Sequence, residues 1–384
     1  MYVARVLALA VSLVLAVDAS PPADFIQDVR PLFNVVTCQG EAPPQLDAKT
    51  LAAFCANQSK RYEHFKNNWA VKAQKFVGDL LPAELPDEVV YPFGGGDSMA
   101  ALALFPKAQV ITTLSLELAG DPRRLPGLTD AKVLKASLSA IANASASTLM
   151  SNDSLSKNLS ATQQGELPGQ LSMHLMGLAL AGQEPVSVRF FRVEPDGSLH
   201  YFTADEVKAL DTSTASKLKE SWKAPDFSPA FANVELEFVP RGQPDAPRRL
   251  HRHLAANLAN DSLPPGVLKH LEAKGRVIAM TKAASYLLWR DAFSVVREYL
   301  LTHADFMVSD STGIPPRHWT SRGCTVAAYG AFEKSFLGTW EGYQEELRKT
   351  FATAKKVPMR FGYPDGSPGK HNHLMTATCP RPKG

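Results

Sequence analysis

Residues 88–117 read EVVYPFGGGDSMAALALFPKAQVITTLSLE, and no other stretch constrains the fold as much. EVVYPF is strand-like, SMAALALF has the composition of a helix, and AQVITTLSLE is rich in β-branched residues. A strand, a glycine turn, a helix and a second strand form a β-α-β unit. The helical crossover makes its two strands parallel.

The chain on either side fits an α/β sheet. Residues 21–84 repeat apolar side chains at three- and four-residue steps and predict an N-terminal helical cap over residues 20–84. Residues 85–384 then form the main domain. Helices are expected at 130–147 and 166–181, a hairpin around the Pro-Asp-Gly turn at 195–197, and a strand at NVELEFV. PGVLKHLEAKG, RVIAM, DAFSVVREYLLTHA and DFMVSD continue the alternation of helix and strand. EGYQEELRKTFATAKK predicts a late helix, and PMRFGY with NHLMTATC a final strand pair. The expected architecture is a Rossmann-like, mostly parallel sheet with helices on both faces.

Residues 1–5 carry one positive charge, residues 6–17 are apolar, and Val17-Asp18-Ala19 has the small residues of a cleavage site. This is the pattern of a signal peptide over residues 1–19, too short to span a bilayer, and it predicts a secreted or periplasmic protein. Four cysteines agree with an oxidising compartment. Three pairings exist in principle, and proximity favours Cys38 with Cys55 and Cys324 with Cys379. Asn57, Asn143, Asn152, Asn158 and Asn260 stand in N-x-S/T sequons, which matter only in a eukaryotic source. A formal charge of +3 with Lys and Arg dispersed among Asp and Glu excludes a nucleic-acid binder, and no membrane span is expected after the signal.

Gly94, Gly95, Gly96 and Asp97 form the turn after the first strand. Glycines there let a ligand approach backbone N–H groups, with Asp97 as helix N-cap. Glu117 follows twenty residues later, where a dinucleotide-binding unit places its ribose-binding carboxylate. Met99 occupies the position of the last glycine of G-x-G-x-x-G, so no cofactor is expected. Asp310 ends another strand before the loop STGIPPR, whose last residue is Arg317. Ligands of open α/β sheets sit at the carboxyl ends of strands. Gly94–Asp97, Glu117, Asp310 and Arg317 are therefore expected to share one cleft for a small polar or anionic ligand.

Ser98 gives the alternative. GGGDS after a strand resembles the Gly-Asp-Ser block of SGNH/GDSL-type esterases, which implies a secreted serine hydrolase with Ser98 as nucleophile and a late Asp and His as its base. Asp365, His371 and His373 lie near the end of the chain but not in D-x-x-H spacing. In a strand, residues i and i+2 share a face, so His251/His253 and His371/His373 could each pair on a metal, yet neither has a nearby carboxylate or third histidine, so no metal site is expected. His174 reads as a core histidine in an apolar helix, and Lys282 as a strand-end lysine reaching for solvent.

Taken together, YPFGGGD, KAASY, DSTGIP and MRFGY resemble an uncharacterised family of exported bacterial proteins with YPF-[S/G]-G-x-D, K-A-A-S-Y and D-[S/T]-G-I-P segments. The resemblance spans most of residues 85–365. It implies no activity, but it shifts weight from Ser98 to Asp97 and Asp310.

Overall fold

A computed structural model describes residues 20–151, 166–211, 229–282, 285–333, 341–362 and 372–380. Helices α1 (Ile26–Thr37), α2 (Ala48–Phe65) and α3 (Val71–Gly78) come first, with α2 passing into α3 through a π-helical turn at Lys66–Ala70. The β-α-β unit follows as β1 (Glu88–Pro92), α4 (Ser98–Leu104) and β2 (Val110–Ser115). Next come α5 (Ala131–Ser151), α6 (Gly169–Leu180), β3 (Gln183–Val193), β4 (Leu199–Tyr201), α7 (Ala204–Asp211), β5 (Asn233–Pro240) and β6 (Arg249–Ala255). The remainder holds α8 (Pro265–Glu272), β7 (Val277–Thr281), α9 (Ser294–His303), β8 (Ala304–Ser309), α10 (Pro316–Thr320), β9 (Thr325–Ala331), α11 (Glu341–Phe351) and β10 (Asn372–Thr378).

All ten strands join one sheet, in the order β4-β3-β5-β6-β2-β1-β7-β8-β10-β9. Its centre, β6-β2-β1-β7-β8, is parallel throughout. Both wings are antiparallel: β4-β3-β5 joins β6 on one side, and β10-β9 joins β8 on the other. The sheet is therefore mixed, which corrects the expectation of a mostly parallel one. On the first wing the cause is connection length. Only a turn separates β5 from β6 (Gly242 has φ 73°), and Pro195–Gly197 closes the β3–β4 hairpin, so neither link is long enough for a crossover.

Alternation along the central strands feeds two apolar layers. Val89, Tyr91, Ile278, Met280, Phe306 and Val308 face a core shared with α1 to α6, while Val90, Val277, Ala279 and Met307 face α8 and α9. Helices thus cover both faces. The helices of residues 20–84 belong to the first of these layers: Val29, Leu32, Trp69 and Val77 are buried in the same core as the sheet. Disulfides join Cys38 to Cys55, between α1 and α2, and Cys324 to Cys379, where β9 starts and β10 ends. These are the two pairings favoured by proximity. Among the described residues no helix is long and apolar enough to cross a membrane. Residues 358–362 of PMRFGY do not form a strand, and Tyr363 lies outside the described residues; β10 pairs instead with β8 and with β9.

Candidate functional site

Counted in chain order, the parallel centre runs third, second, first, fourth, fifth, so its order reverses between β1 and β7. Side chains from the carboxyl ends of β1, β7 and β8 meet at that point. Lys282, directly after β7, reaches Asp97 with its Nζ 2.5 Å from Oδ2. The Tyr91 hydroxyl, from β1, donates to the same oxygen at 3.0 Å and also lies 3.2 Å from the Lys282 carbonyl. Asp97, Lys282 and Asp310 each have 0% of their surface exposed. Burial pushes the Asp97 carboxyl above the usual carboxylate range, against the pull of the Lys282 ammonium. Burial, reinforced by Asp97 and then by Asp310, raises the Tyr91 hydroxyl well above its ordinary value, so it stays a donor.

Asp310 ends β8 in a tight turn, its carboxylate accepting from the backbone N–H of Thr312 at 2.7 Å and from the Thr312 hydroxyl. Thr281 donates to Ser309 across β7 and β8 at 2.7 Å, and Ser309 donates on to the Asp310 carbonyl. A methyl group on Gly313 would collide with both of those hydroxyls. The Trp69 ring centroid lies 5.9 Å from the Lys282 ammonium, and its indole N–H is spent on the Arg360 carbonyl.

The glycine turn packs tightly and is closed to solvent. A Cβ at Gly94 would stand 2.8 Å from the Tyr91 ring, and Gly95 takes φ 47°. Phe93, just before it, also adopts a left-handed backbone (φ 58°), a conformation costing about 1–2 kcal/mol outside glycine. Its ring is held edge-on to Phe293. The Asp97 side chain does not cap α4 as expected; it is committed to Lys282 and Tyr91.

A second buried polar chain starts one residue on. Ser98 Oγ lies 2.9 Å from His174 Nδ1, on α6, and the Gln170 side-chain amide contacts His174 Nε2 at 3.3 Å. The tautomer of this buried imidazole sets which partner donates in the Ser98 contact. The His174 ring meets His251 edge to face at 4.3 Å and lies 5.1 Å from His253, both on β6. His251 contacts the Thr113 hydroxyl at 3.0 Å, Thr113 contacts His253 Nδ1 at 3.2 Å, and His253 Nε2 donates to the Glu117 carbonyl at 2.7 Å. Burial pushes His251 down to about 3 and His253 to about 4, and it holds His174 well below its ordinary value. All three rings are neutral at neutral pH.

Of the residues expected in one cleft, Gly94–Asp97 and Asp310 surround Tyr91 from two strand ends. Glu117 stands at the far end of the histidine chain, its carboxyl raised by burial. Arg317 is bound instead to Glu346 on α11, at 2.6 Å through its guanidinium. His373 does not approach Ser98; it accepts from the Ser311 N–H at 3.3 Å. Asp365 and His371 lie outside the described residues. Lys282 does not reach for solvent, whereas His174 is the satisfied core histidine expected. Their partners lie 185 and 76 positions away, so no local pattern announces them. Among the described residues no three His, Cys, Asp or Glu side chains are grouped to hold a metal ion. A cavity of about 470 Å³ opens at the opposite, amino-terminal end of β1 and β2. Comparison with family models, curated proteins and solved structures finds no match.

Proposed function

We propose that this chain is an exported binding protein whose small polar ligand is received at the carboxyl ends of β1, β7 and β8. One observation carries this reading. Two carboxylates and an ammonium, all without solvent exposure, converge where the parallel strand order reverses. A buried ion pair is a poor source of stability, since an apolar replacement of similar shape is often neutral or better. The reversal point of a Rossmann-like centre is where such sheets receive ligands. Two carboxylates against one ammonium favour a neutral hydroxyl-rich ligand over an anion. The two disulfides fit an oxidising compartment.

A thermal-shift screen of sugars, polyols and neutral metabolites tests this directly. A hit is expected to lose its effect in Asp310→Asn and in the paired variant Asp97→Asn/Lys282→Met. Unchanged affinity in both would overturn the assignment.

The contact of Ser98 with His174 favours a second reading, a serine hydrolase. Against it stands an amide rather than a carboxylate on the other nitrogen of His174. A fluorophosphonate probe separates the two. Labelling that disappears in Ser98→Ala supports the hydrolase, and an unlabelled folded protein supports the binding protein.

A further inference from the structure

We infer that the cavity at the amino-terminal end of the strands is a second binding site, built for a zwitterion with an apolar body, such as an apolar amino acid. Its volume of about 470 Å³ falls within the range of small-ligand pockets, about 300–1,000 Å³. Leu104, Phe105, Ala108 and Ile278 line it, all buried and contributed by α4, the turn before β2 and the start of β7. The segment Leu81–Asp87 forms a wall, with Pro82 and Pro86 restricting its backbone, so the shape exists before any ligand arrives.

Two charged residues line this cavity, and they have opposite signs: Lys107 and Asp87. Among the described residues neither the Lys107 ammonium nor the Asp87 carboxylate has a hydrogen-bonding or ionic partner, although both segments are firmly held. The Asp87 carbonyl accepts from the N–H groups of Gln109 and Val110, which holds Asp87 beside the start of β2, just beyond Lys107. A free ammonium and a free carboxylate beside an apolar floor match the carboxylate, ammonium and side chain of an amino acid. A fatty acid would leave Asp87 facing its own headgroup, and an apolar amine would leave Lys107 doing the same. This site is separate from the strand-end cluster and does not depend on its assignment.

Gly78 supplies the control. It lines the cavity at the end of α3, and a Cβ there meets nothing within 4 Å, so a larger side chain enters open space. Isothermal titration of the full chain with L-tryptophan, tryptamine and indole-3-propionate tests the proposal, since the last two each lack one charge. L-Tryptophan is expected to bind saturably and more tightly than either analogue. Lys107→Met should weaken it by the about two- to fivefold that an exposed ion pair is worth. It should leave tryptamine unaffected, while Asp87→Asn does the reverse. Gly78→Leu should abolish binding with its thermal unfolding unchanged. Absence of saturable L-tryptophan binding at millimolar concentration overturns the inference. So do equal affinities for all three compounds, or binding undisturbed by Gly78→Leu.

Discussion

Acid should destabilise this protein well above the pH at which carboxylates titrate, because three of its histidines are folded into a neutral cluster. His251 and His253 titrate near 3 and 4 in the folded chain and near 6.5 when unfolded. Their folded values are depressed, so the unfolded chain binds more protons below pH 6.5 and stability falls as the pH drops. Between pH 7 and pH 5 each of these two groups costs about 2 kcal/mol by linkage, together about 4 kcal/mol. His174 acts in the same direction. His270, pushed down to about 4 but partly open to solvent, adds a smaller share. Asp97 and Glu117 act the opposite way, since their raised values make the folded chain take up protons first. A total of this size is a large part of the about 5–15 kcal/mol that holds a domain folded. The assay is urea unfolding at pH 7, 6 and 5, followed by tryptophan fluorescence with disulfides intact. His251→Gln separates the histidine effect from that of the carboxylates. Whatever it does to stability at pH 7, it should shrink the difference between pH 7 and pH 5 by about 2 kcal/mol. A wild-type stability that is flat over this range, or a His251→Gln chain that keeps the full slope, would refute the reasoning.

The Asp97–Lys282 pair makes a further prediction. Lys282→Met alone leaves a buried unpaired carboxylate and should cost about 3–5 kcal/mol, whereas adding Asp97→Asn should restore much of it, as a double-mutant cycle in urea would show. Gly94→Ala drives a methyl group into the Tyr91 ring, which Asp97 pins, and should lower stability by about 1–3 kcal/mol, read as a drop in melting temperature. Replacing both Cys324 and Cys379 with serine opens a link across 55 positions and should cost up to about 4 kcal/mol of unfolding free energy. Its counterpart at Cys38 and Cys55 closes 17 positions and should cost about 3 kcal/mol.

Much of the central sheet is legible in the sequence because local pattern decides it. The first β-α-β unit, the β3–β4 hairpin and the strands at β7 and β8 all announce themselves through alternation, β-branched residues and turn chemistry. Two strands do not. β6 reads RLHRHLA, and its charged and imidazole side chains disguise a strand whose His251 and His253 face the core while Arg252 pairs with Glu235 on β5. β9 reads TVAAYGA, too poor in β-formers to stand out, and it exists as a strand because β10 pairs with it along its length. The site divides in the same way. Asp97 and Asp310 can be suspected from their places after strands. Lys282 and His174 cannot, because their roles come from strand neighbours and helix packing that no spacing encodes. Asp97 misleads for a related reason: the residue sits at the helix cap, but a lysine 185 positions later claims its side chain.

Among the described residues the last strand in chain order, β10, is seated between β8 and β9. This seating imposes a schedule on biogenesis. Until residues 372–378 have been synthesised, β9 has no neighbour in the sheet and the outer edge of β8 lies open. Cys379 cannot reach Cys324 before that moment. A nascent chain therefore carries an unpaired strand edge, the kind that invites intermolecular pairing, until β10 is threaded into the gap. Oxidation of the Cys324–Cys379 bond then latches β10 in place. Proteolysis or premature termination upstream of residue 372 should leave a product prone to aggregation rather than a smaller folded protein.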